Sequence, residues 1–329
     1  MKPKVTRWVL TMLAGMVLSA VSAVSWAQSF NLFIRVGVGY NRGLVGRDLN
    51  GRDLNGRLLD GRIVTGVSLN GVTLRKGPAR SVSLVASRFE GEDARGRKAT
   101  GDDFIDAVFT ATLDNGLTLP LKVEDIRRGE GRAVKDVRFY DVSYATQDGP
   151  VPLCGFDEND EPVAAIPMNG RWNYREGVEG GGAHIEDASA FTFACVGDAI
   201  AKCVEGGYMP WKTARVCSRG HGHDCEWTSL EALHQACTRM LRADFCGDGT
   251  PYTVDDTLVN LYDGLGIRYD SEDWPVEAEW DADGAICAVR ERIADMVPAC
   301  MADLVEDGCG APSHLLEGAL IISEVAPTN

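Results

Sequence analysis

The first 153 residues of this chain contain no cysteine, although ten cysteines occur among its 329 residues. Basic residues are also few, since 33 Lys and Arg stand against 48 Asp and Glu and give a formal net charge of −15. A general nucleic-acid-binding protein normally presents a basic face, so this balance argues against a nucleic acid as partner. Beyond the amino terminus no run approaches the roughly 18 uncharged apolar residues of a membrane helix, so we expect no membrane span in the mature chain.

Residues 1–27 have the features of a secretory signal peptide. An apolar run over residues 8–18 follows a basic stretch and precedes small residues at the expected cleavage point. The basic and small residues are Lys2, Lys4, Arg7, Ser25 and Ala27. An uncleaved anchor is the alternative, because residues 8–26 are uncharged and barely long enough to span a membrane. The sequence predicts a secreted protein, extracellular or periplasmic, with a linker over residues 28–41.

The cysteines indicate an oxidising compartment. An even number of cysteines, clustered in one half of an exported chain, is typical of a disulfide framework. A thiolate metal site is the alternative, but no C-x-x-C pair is present and zinc sites usually use such short spacings. The pairing cannot be deduced from the spacing. The cysteines expected to form structural disulfides are Cys154, Cys195, Cys203, Cys217, Cys225, Cys237, Cys246, Cys287, Cys300 and Cys309.

Residues 42–76 repeat every five positions, with one column of glycine and another of leucine or valine. This period fits neither a helix nor a strand and is typical of a solenoid. The segment resembles pentapeptide repeats, which implies a square β-helix with the leucine pointing inward. Arginine occupies the position that is small and inward-facing in such repeats, and a buried unpaired arginine is costly. A flexible spacer rich in Gly, Arg and Leu is therefore the alternative, and its positive charge suggests anionic envelope polysaccharide as a partner.

Residues 77–150 are predicted to form a β-rich module. Apolar and polar residues alternate from Ile105 to Leu113, Asn115-Gly116 is a hairpin turn signal, and the alternation resumes over residues 117–123. Pro120 should place the returning strand at an edge of the sheet. A third alternation runs over residues 137–144. A small antiparallel sheet is expected here.

Residues 151–329 form the predicted cysteine-rich domain, in which short helices are expected. One runs over residues 198–204, and a second follows a capping box at residues 228–231 and ends near Ala243. A third is predicted from Ala285 to Met296 by the spacing of its apolar residues. Helices tied by disulfides beside a strand-rich module give an α+β fold.

Several strings in this half, above all Arg242-Ala243-Asp244-Phe245-Cys246-Gly247, resemble the ADYC-domain family. Phe245 stands where the family usually has tyrosine. Further strings that fit the family are 140–144, 152–155, 191–195, 201–203, 207–211, 234–240 and 249–253, so the resemblance covers roughly residues 80–310. It implies an exported bacterial protein without an established activity, and therefore an architecture and a location rather than a chemistry.

Two groups of residues are weak candidates for a metal site. His221, His223 and Asp224 place two imidazoles and a carboxylate together, and the alternative is a polar loop. Asp281 and Asp283 begin like a calcium loop but lack its third acidic position and its closing glutamate. The alternative is a solvated acidic turn, so no cofactor is expected, with calcium as the one candidate.

A candidate recognition cluster for a polar ligand consists of His234, Arg239, Arg242 and Asp244. The alternative is a buried ion pair that locks the helix to the following loop. Aromatic residues could also stack on sugar rings, although such side chains more often belong to the core. These residues are Trp172, Tyr174, Trp211, Trp227, Trp274 and Trp280.

No residue is assigned a catalytic role. The chain has no G-x-S-x-G elbow, and an even cysteine count argues against a thiol nucleophile paired with His184 or His234. The sequence therefore favours a non-catalytic binding or structural protein of the cell envelope or extracellular space. The alternative is a secreted hydrolase with an acidic or Cys/His site in the cysteine-rich domain.

Overall fold

The computed structural model describes most of the chain after residue 60. The described residues are 34–36, 58, 61–130, 134–217, 225–254 and 257–327. The predicted signal peptide, residues 42–57, 59 and 60 of the five-residue repeat, and the candidate metal ligands His221, His223 and Asp224 lie outside them. No helix in the described part of the chain combines the length and the apolar character that a membrane crossing requires.

Strands dominate the described residues. In chain order they are β1 (Ile34–Val36), β2 (Val64–Leu74), β3 (Gly77–Val85), β4 (Arg88–Asp93), β5 (Lys98–Thr100), β6 (Val108–Leu113), β7 (Thr118–Arg128), β8 (Arg138–Thr146), β9 (Gly149–Pro152), β10 (Ala165–Asn169), β11 (Arg171–Trp172), β12 (His184–Ile185), β13 (Ala190–Cys195), β14 (Thr213–Cys217), β15 (Cys225–Ser229), β16 (Thr257–Asp263), β17 (Val276–Trp280), β18 (Ala285–Ala288) and β19 (Ile321–Val325). The α-helices are α1 (Ala199–Glu205), α2 (Glu231–Arg242) and α3 (Met301–Leu304), and 3₁₀ turns occur at Gly101–Phe104 and Pro312–Leu316.

Six antiparallel strands close into a barrel in the order β2-β6-β7-β8-β10-β13, because β13 pairs again with β2. Strands β3, β4 and β5 extend the sheet from β2, and β9 pairs with β8. The predicted small sheet is thus corrected to a closed barrel, since β10 and β13 come from the segment after residue 150. The α+β expectation is confirmed only in part, because helices are few beside the strands.

The barrel encloses an aromatic core. Phe89 lies at its centre, with its ring centroid 4.6 Å from that of Phe109 and 5.0 Å from that of Phe191. Closely packed rings bury large apolar areas and gain further from edge-to-face contact. The rings in contact are Phe89, Phe104, Phe109, Tyr140, Phe191 and Phe193.

A second part of the molecule, which we call the helix–sheet layer, consists of α2 packed on a five-stranded sheet. The sheet order is β1-β16-β19-β17-β18, and α2 contacts β17 and β19. Phe245, in the loop after α2, packs on Trp280 of β17 with 5.0 Å between ring centroids. Helix α1 contacts both α2 and barrel strand β13 and so joins the two parts.

Four disulfides are described, and they confirm that the chain is disulfide-stabilised. Cys154–Cys195 lies in the barrel, and Cys203–Cys237 joins α1 to α2. Cys246–Cys300 and Cys287–Cys309 cross-link the helix–sheet layer. The backbones of Cys217 and Cys225 are register partners in the β14–β15 hairpin.

The predicted hairpin at Asn115-Gly116 is confirmed as the β6–β7 turn, and β8 and helices α1 and α2 also lie where the sequence placed them. The prediction for Pro120 is wrong, because β7 is flanked by both β6 and β8. Pro120 is nevertheless paired only with Thr110 of β6, and the β7–β8 register begins one residue later at Leu121. Its missing N–H therefore costs no ladder hydrogen bond on the β8 side.

Two helix predictions are wrong. Residues 285–288 form strand β18, and no α-helix follows before residue 296. The helical spacing of apolar residues was misleading there, since Ile286 and Val289 are exposed. The predicted capping box at residues 228–231 is also wrong. Thr228 and Ser229 belong to β15, and α2 begins at Glu231, directly after Leu230. Ser229 Oγ accepts the N–H of Glu231 at 3.2 Å.

From residue 61 onward, the C-terminal part of the five-residue repeat lies within the described residues. There, Val64–Leu74 forms barrel strand β2, which pairs antiparallel with β6. Gly71 has a φ of 73°, where the register between these strands shifts. In these residues the repeat therefore contributes a barrel strand with an irregularity at a glycine.

Candidate functional site

The segment that resembles the ADYC signature begins at the end of α2. Ala243 terminates the helix in the left-handed conformation, with a φ of 51°, and its N–H bonds to the carbonyls of Arg239 and Met240. This turn directs the chain back across the helix end, where the N–H of Asp244 donates to the carbonyl of Arg239 at 3.0 Å. The carboxylate of Asp244 is thereby brought against the guanidinium of Arg239.

Asp244 and the two arginines form a buried knot with the neighbouring loops. Arg239 donates to Asp244 and to the carbonyl of Gly181, while Arg242 donates to the carbonyl of Gly249. The N–H of Gly249 in turn donates to the Asp244 carboxylate at 3.1 Å. Burial raises the pKa of Asp244, and the charges of Arg239 and Arg242 oppose that shift. Asp244 therefore depends on its partners to remain ionised.

A glycine makes this close approach feasible. A Cβ on Gly182 would lie 2.7 Å from Arg239 Nη1 and 2.8 Å from Asp244 Oδ2, and the residue has a φ of 70°. A side chain at position 182 would separate the ion pair. The close packing of this loop against Arg239 therefore requires a glycine at position 182 as well as the ion pair between Arg239 and Asp244.

Three members of the predicted recognition cluster are consequently inaccessible. Arg239 and Arg242 are 2% exposed and Asp244 is 0% exposed. This is the buried-ion-pair arrangement that the sequence analysis named as the alternative. The fourth member, His234, also lies on α2, but its side chain lines a small cavity beside the buried knot.

We call this cavity, of about 160 Å³, the tryptophan pocket. Elements from four parts of the chain meet there: the β10–β11 turn, β12, the segment after α1, and the first turns of α2. Its lining residues are Asn169, Trp172, His184, Pro210, Trp211, Glu231, His234 and Gln235.

The β11–β12 pair supplies one wall of the tryptophan pocket. Trp172 and His184 are direct register partners, and their ring centroids lie 4.6 Å apart. His184 Nε2 donates to the carbonyl of Asn169 at 2.9 Å. A Cβ on Gly170 would lie 2.5 Å from His184 Nε2, so glycine at the turn permits this bond.

The segments at the base of the β14–β15 hairpin supply further lining residues, Trp211 and Glu231. The N–H of Leu230 donates to the carbonyl of Lys212 at 3.0 Å, which continues the hairpin ladder beyond Thr213 and Ser229. Trp211 precedes Lys212 and Glu231 follows Leu230. The hairpin therefore brings two residues that are far apart in sequence to the same pocket.

The buried knot supports the tryptophan pocket through one side chain. Gln235 accepts the indole N–H of Trp172 at 3.1 Å and donates to the carbonyl of Gly182 at 3.0 Å. Gly182 adjoins Gly181, which Arg239 holds. Hydrogen bonds and the Gly181–Gly182 peptide link thus connect Asp244 to Trp172, and the signature supports a pocket wall that it does not itself line.

His234 is neutral at the pH of most compartments. Its Nε2 donates to the carbonyl of Ile200 in α1 at 3.1 Å. Burial lowers the pKa of His234 to about 4. His234 therefore contributes shape and a neutral ring rather than charge.

His184 and Glu231 form the polar end of the pocket. The distance from His184 Nδ1 to Glu231 Oε1 is 3.6 Å, and the Glu231 side chain is 52% exposed. No serine, threonine or cysteine is among the residues that line the pocket. The described arrangement therefore supplies acceptors and aromatic faces but no hydroxyl or thiol nucleophile.

The remaining metal candidates, Asp281 and Asp283, lie in one turn. Asp281 Oδ1 accepts the backbone N–H groups of Asp283 and Gly284 at 2.8 and 3.1 Å, as in an ordinary turn. Within the described ranges, three potential ligand atoms come within 4.8 Å only at Glu279, Cys287 and Cys309, and those two sulfurs are bonded to each other.

A larger depression of about 520 Å³ lies beside β7, lined by Arg127, Arg128 and Phe139 among others. Two of its lining residues, Gly129 and Glu130, directly precede residues 131–133 in the chain, and residues 131–133 lie outside the described ones. The tryptophan pocket is preferred as the candidate site because its walls are fixed by hydrogen bonds.

From the sequence, Trp172 and Trp211 are candidates for stacking on sugar rings and His184 and His234 are candidate partners of a thiol nucleophile, but nothing there groups the tryptophans with the histidines. Glu231 and Gln235 were missed, because nothing in their local pattern distinguishes them from an exposed helix start. Only the pairings β11–β12 and β14–β15 bring these positions together.

Residues 101–294 match a family model described as the ADYC domain. This span includes barrel strands from β6 onward, the tryptophan pocket and the buried knot. No curated protein and no solved structure gives a significant match to the chain.

Proposed function

The chain belongs to the ADYC-domain family, and on that premise we propose that it is an exported, non-catalytic binding protein whose ligand occupies the tryptophan pocket. Four disulfides support maturation in an oxidising compartment. The predicted signal peptide supports export in the same sense.

The observation that carries the proposal is the fixed, aromatic construction of the pocket. Trp172 is held by Gln235, His184 is held by the Asn169 carbonyl, and the disulfide Cys203–Cys237 fixes α1 against α2. Small-ligand sites are typically preformed concavities with aromatic walls and a few placed polar groups. A rigid pocket also loses little conformational entropy when a ligand binds.

The test is ligand-observed NMR on the full oxidised chain with five probes: glucose, N-acetylglucosamine, n-butylamine, n-butanol and acetate. We expect at least one probe to bind wild type, and Trp211→Ala to abolish that binding. Trp227→Ala is the matched control, because Trp227 is 70% exposed on β15 and does not line the pocket. Binding that survives Trp211→Ala, or no binding of any probe, contradicts the proposal.

A secreted hydrolase is the second candidate, and the closeness of His184 to Glu231 favours it. Such a pair could activate a water molecule as a general base. Hydrolysis of p-nitrophenyl acetate or p-nitrophenyl glycosides by wild type, lost in Glu231→Gln and kept in Trp227→Ala, would establish this alternative. If wild type hydrolyses these substrates no faster than Glu231→Gln does, the result favours the binding protein.

A further inference from the structure

The polar end of the tryptophan pocket holds two hydrogen-bond acceptors with no hydrogen between them. A backbone carbonyl can only accept, so a neutral imidazole at position 184 carries its one hydrogen on Nε2, which faces the Asn169 carbonyl at 2.9 Å. Nδ1 then carries a lone pair, 3.6 Å from the carboxylate oxygen of Glu231. At that separation the two atoms make no direct hydrogen bond, but one donor group can reach both.

The number of hydrogens on that donor distinguishes ligand classes. A ligand hydroxyl has a single hydrogen and can satisfy only one of the two acceptors. An ammonium has three hydrogens and can satisfy both. The geometry thus favours a primary ammonium over an alcohol at this position.

Charge and aromatic surface favour the same class. Glu231 places a carboxylate at the pocket, while burial lowers the pKa of His234 to about 4, so that ring adds no positive charge. The two indoles offer π faces that attract cations.

We propose that the tryptophan pocket recognises a small ligand through a primary ammonium group, which donates to His184 Nδ1 and to the Glu231 carboxylate. This inference rests on the proposed binding function and names its ligand class. The volume of about 160 Å³ suits a short aliphatic amine or the amino group of a single sugar ring.

The experiment compares three probes of equal chain length by isothermal titration on the full oxidised protein. n-Butylammonium has a charge and three donors, n-butyltrimethylammonium has the charge without donors, and n-butanol has one donor without charge. We expect n-butylammonium to bind about tenfold more tightly than either of the others, because hydrogen bonds to a charged group are the strong ones. Glucosamine against glucose repeats the comparison on a sugar ring.

The variant Glu231→Gln tests the carboxylate, and we expect it to weaken n-butylammonium binding about tenfold. Its matched control is Glu226→Gln, which removes the same charge from β15 outside the pocket lining. Equal affinity for n-butanol and n-butylammonium, or Glu231→Gln binding like wild type, overturns the ammonium inference while pocket binding stands. If no probe binds in a Trp211-dependent manner, the proposed function fails with it.

Discussion

The barrel and the helix–sheet layer are stabilised by different means. The barrel interior is a cluster of packed phenylalanine rings around Phe89, and one described disulfide, Cys154–Cys195, belongs to it. The helix–sheet layer has a smaller aromatic contact, Phe245 on Trp280, and two described disulfides of its own. Where apolar area is limited, cross-links and charge pairs take over part of the stabilisation.

Buried charge is the second difference. Within the helix–sheet layer, Glu277 and Arg292 are a fully buried pair with 2.6 Å between Oε1 and Nε. Arg292 also donates to the carbonyls of Met240 and Leu241 at the end of α2. The Glu277–Arg292 pair and the Arg239–Asp244 pair therefore both stabilise the last turn of α2. All four charged side chains are buried. Such pairs are costly to break singly, because the remaining charge stays buried.

The largest expected effect is therefore that of Asp244→Ala. The change leaves the Arg239 guanidinium buried without its carboxylate and should lower the free energy of unfolding by about 3–5 kcal/mol. Denaturant unfolding of the oxidised protein measures it. On the barrel, Asp141 pairs with Arg127 at 2.7 Å, but the arginine is half exposed.

The matched control is Asp141→Ala, for which we expect at most about 1 kcal/mol, since exposed pairs contribute little. If both variants lose the same stability, the contrast between the two regions is wrong. Loss of Trp211-dependent probe binding in Asp244→Ala, in protein that remains folded, would further support the link from the knot to the tryptophan pocket.

A somewhat smaller effect is expected when the disulfide Cys246–Cys300 is replaced by two serines. It closes a separation of 54 residues, and Cys154–Cys195 closes 41, so chain entropy predicts a similar global loss of about 2–4 kcal/mol for each. The local consequences should differ. Hydrogen exchange should accelerate in β17 and α2 without Cys246–Cys300, while the β6 and β7 amides keep their protection. Equal acceleration in both regions would mean that they unfold as one cooperative unit.

The two regions also differ in how far local sequence predicts them. The alternation over residues 108–113 and the Asn115-Gly116 turn are local signals, and the β6–β7 hairpin follows from them. The buried face of α2, with Leu233, Cys237 and Met240, is equally local. Barrel closure is not, because the pairing of Phe191 with Val67 joins residues from opposite ends of the barrel sequence.

Strand β18 and the tryptophan pocket show why the rest could not be predicted. The apolar spacing from Ile286 suggested a helix, but pairing of Cys287 with Glu279 and the disulfide to Cys309 hold the segment as a strand. The disulfide joins cysteines that are 22 residues apart, and tertiary context overrides local pattern in such cases. The pocket likewise depends on two hairpins, each of which sets residues from distant positions side by side.

The junction between the two regions, helix α1, gives the smallest and most specific prediction. Burial raises the pKa of Glu205 to about 7, and Lys202 opposes this shift. The folded protein thus retains a proton that the unfolded chain releases above the ordinary glutamate pKa of 4.5. The contribution of Glu205 to the free energy of unfolding therefore falls as pH rises from about 4.5 to 7, by roughly 1–3 kcal/mol.

His234, which bonds to Ile200 on the same helix, has the opposite dependence. Its pKa is lowered from 6.5 to about 4, so its contribution is lost as pH falls through that range. In wild type, the contributions of Glu205 and His234 to the free energy of unfolding change in opposite directions with pH and offset each other. Glu205→Gln removes the first contribution, so the pH dependence due to His234 should become measurable. We expect the variant to match wild type near pH 4 and to exceed it at pH 8, with stability that rises more steeply from pH 4 to 6.5. The exposed Glu92→Gln on β4 is the control; if its pH profile changes as much, the effect reflects net charge and not the burial of Glu205 at the junction.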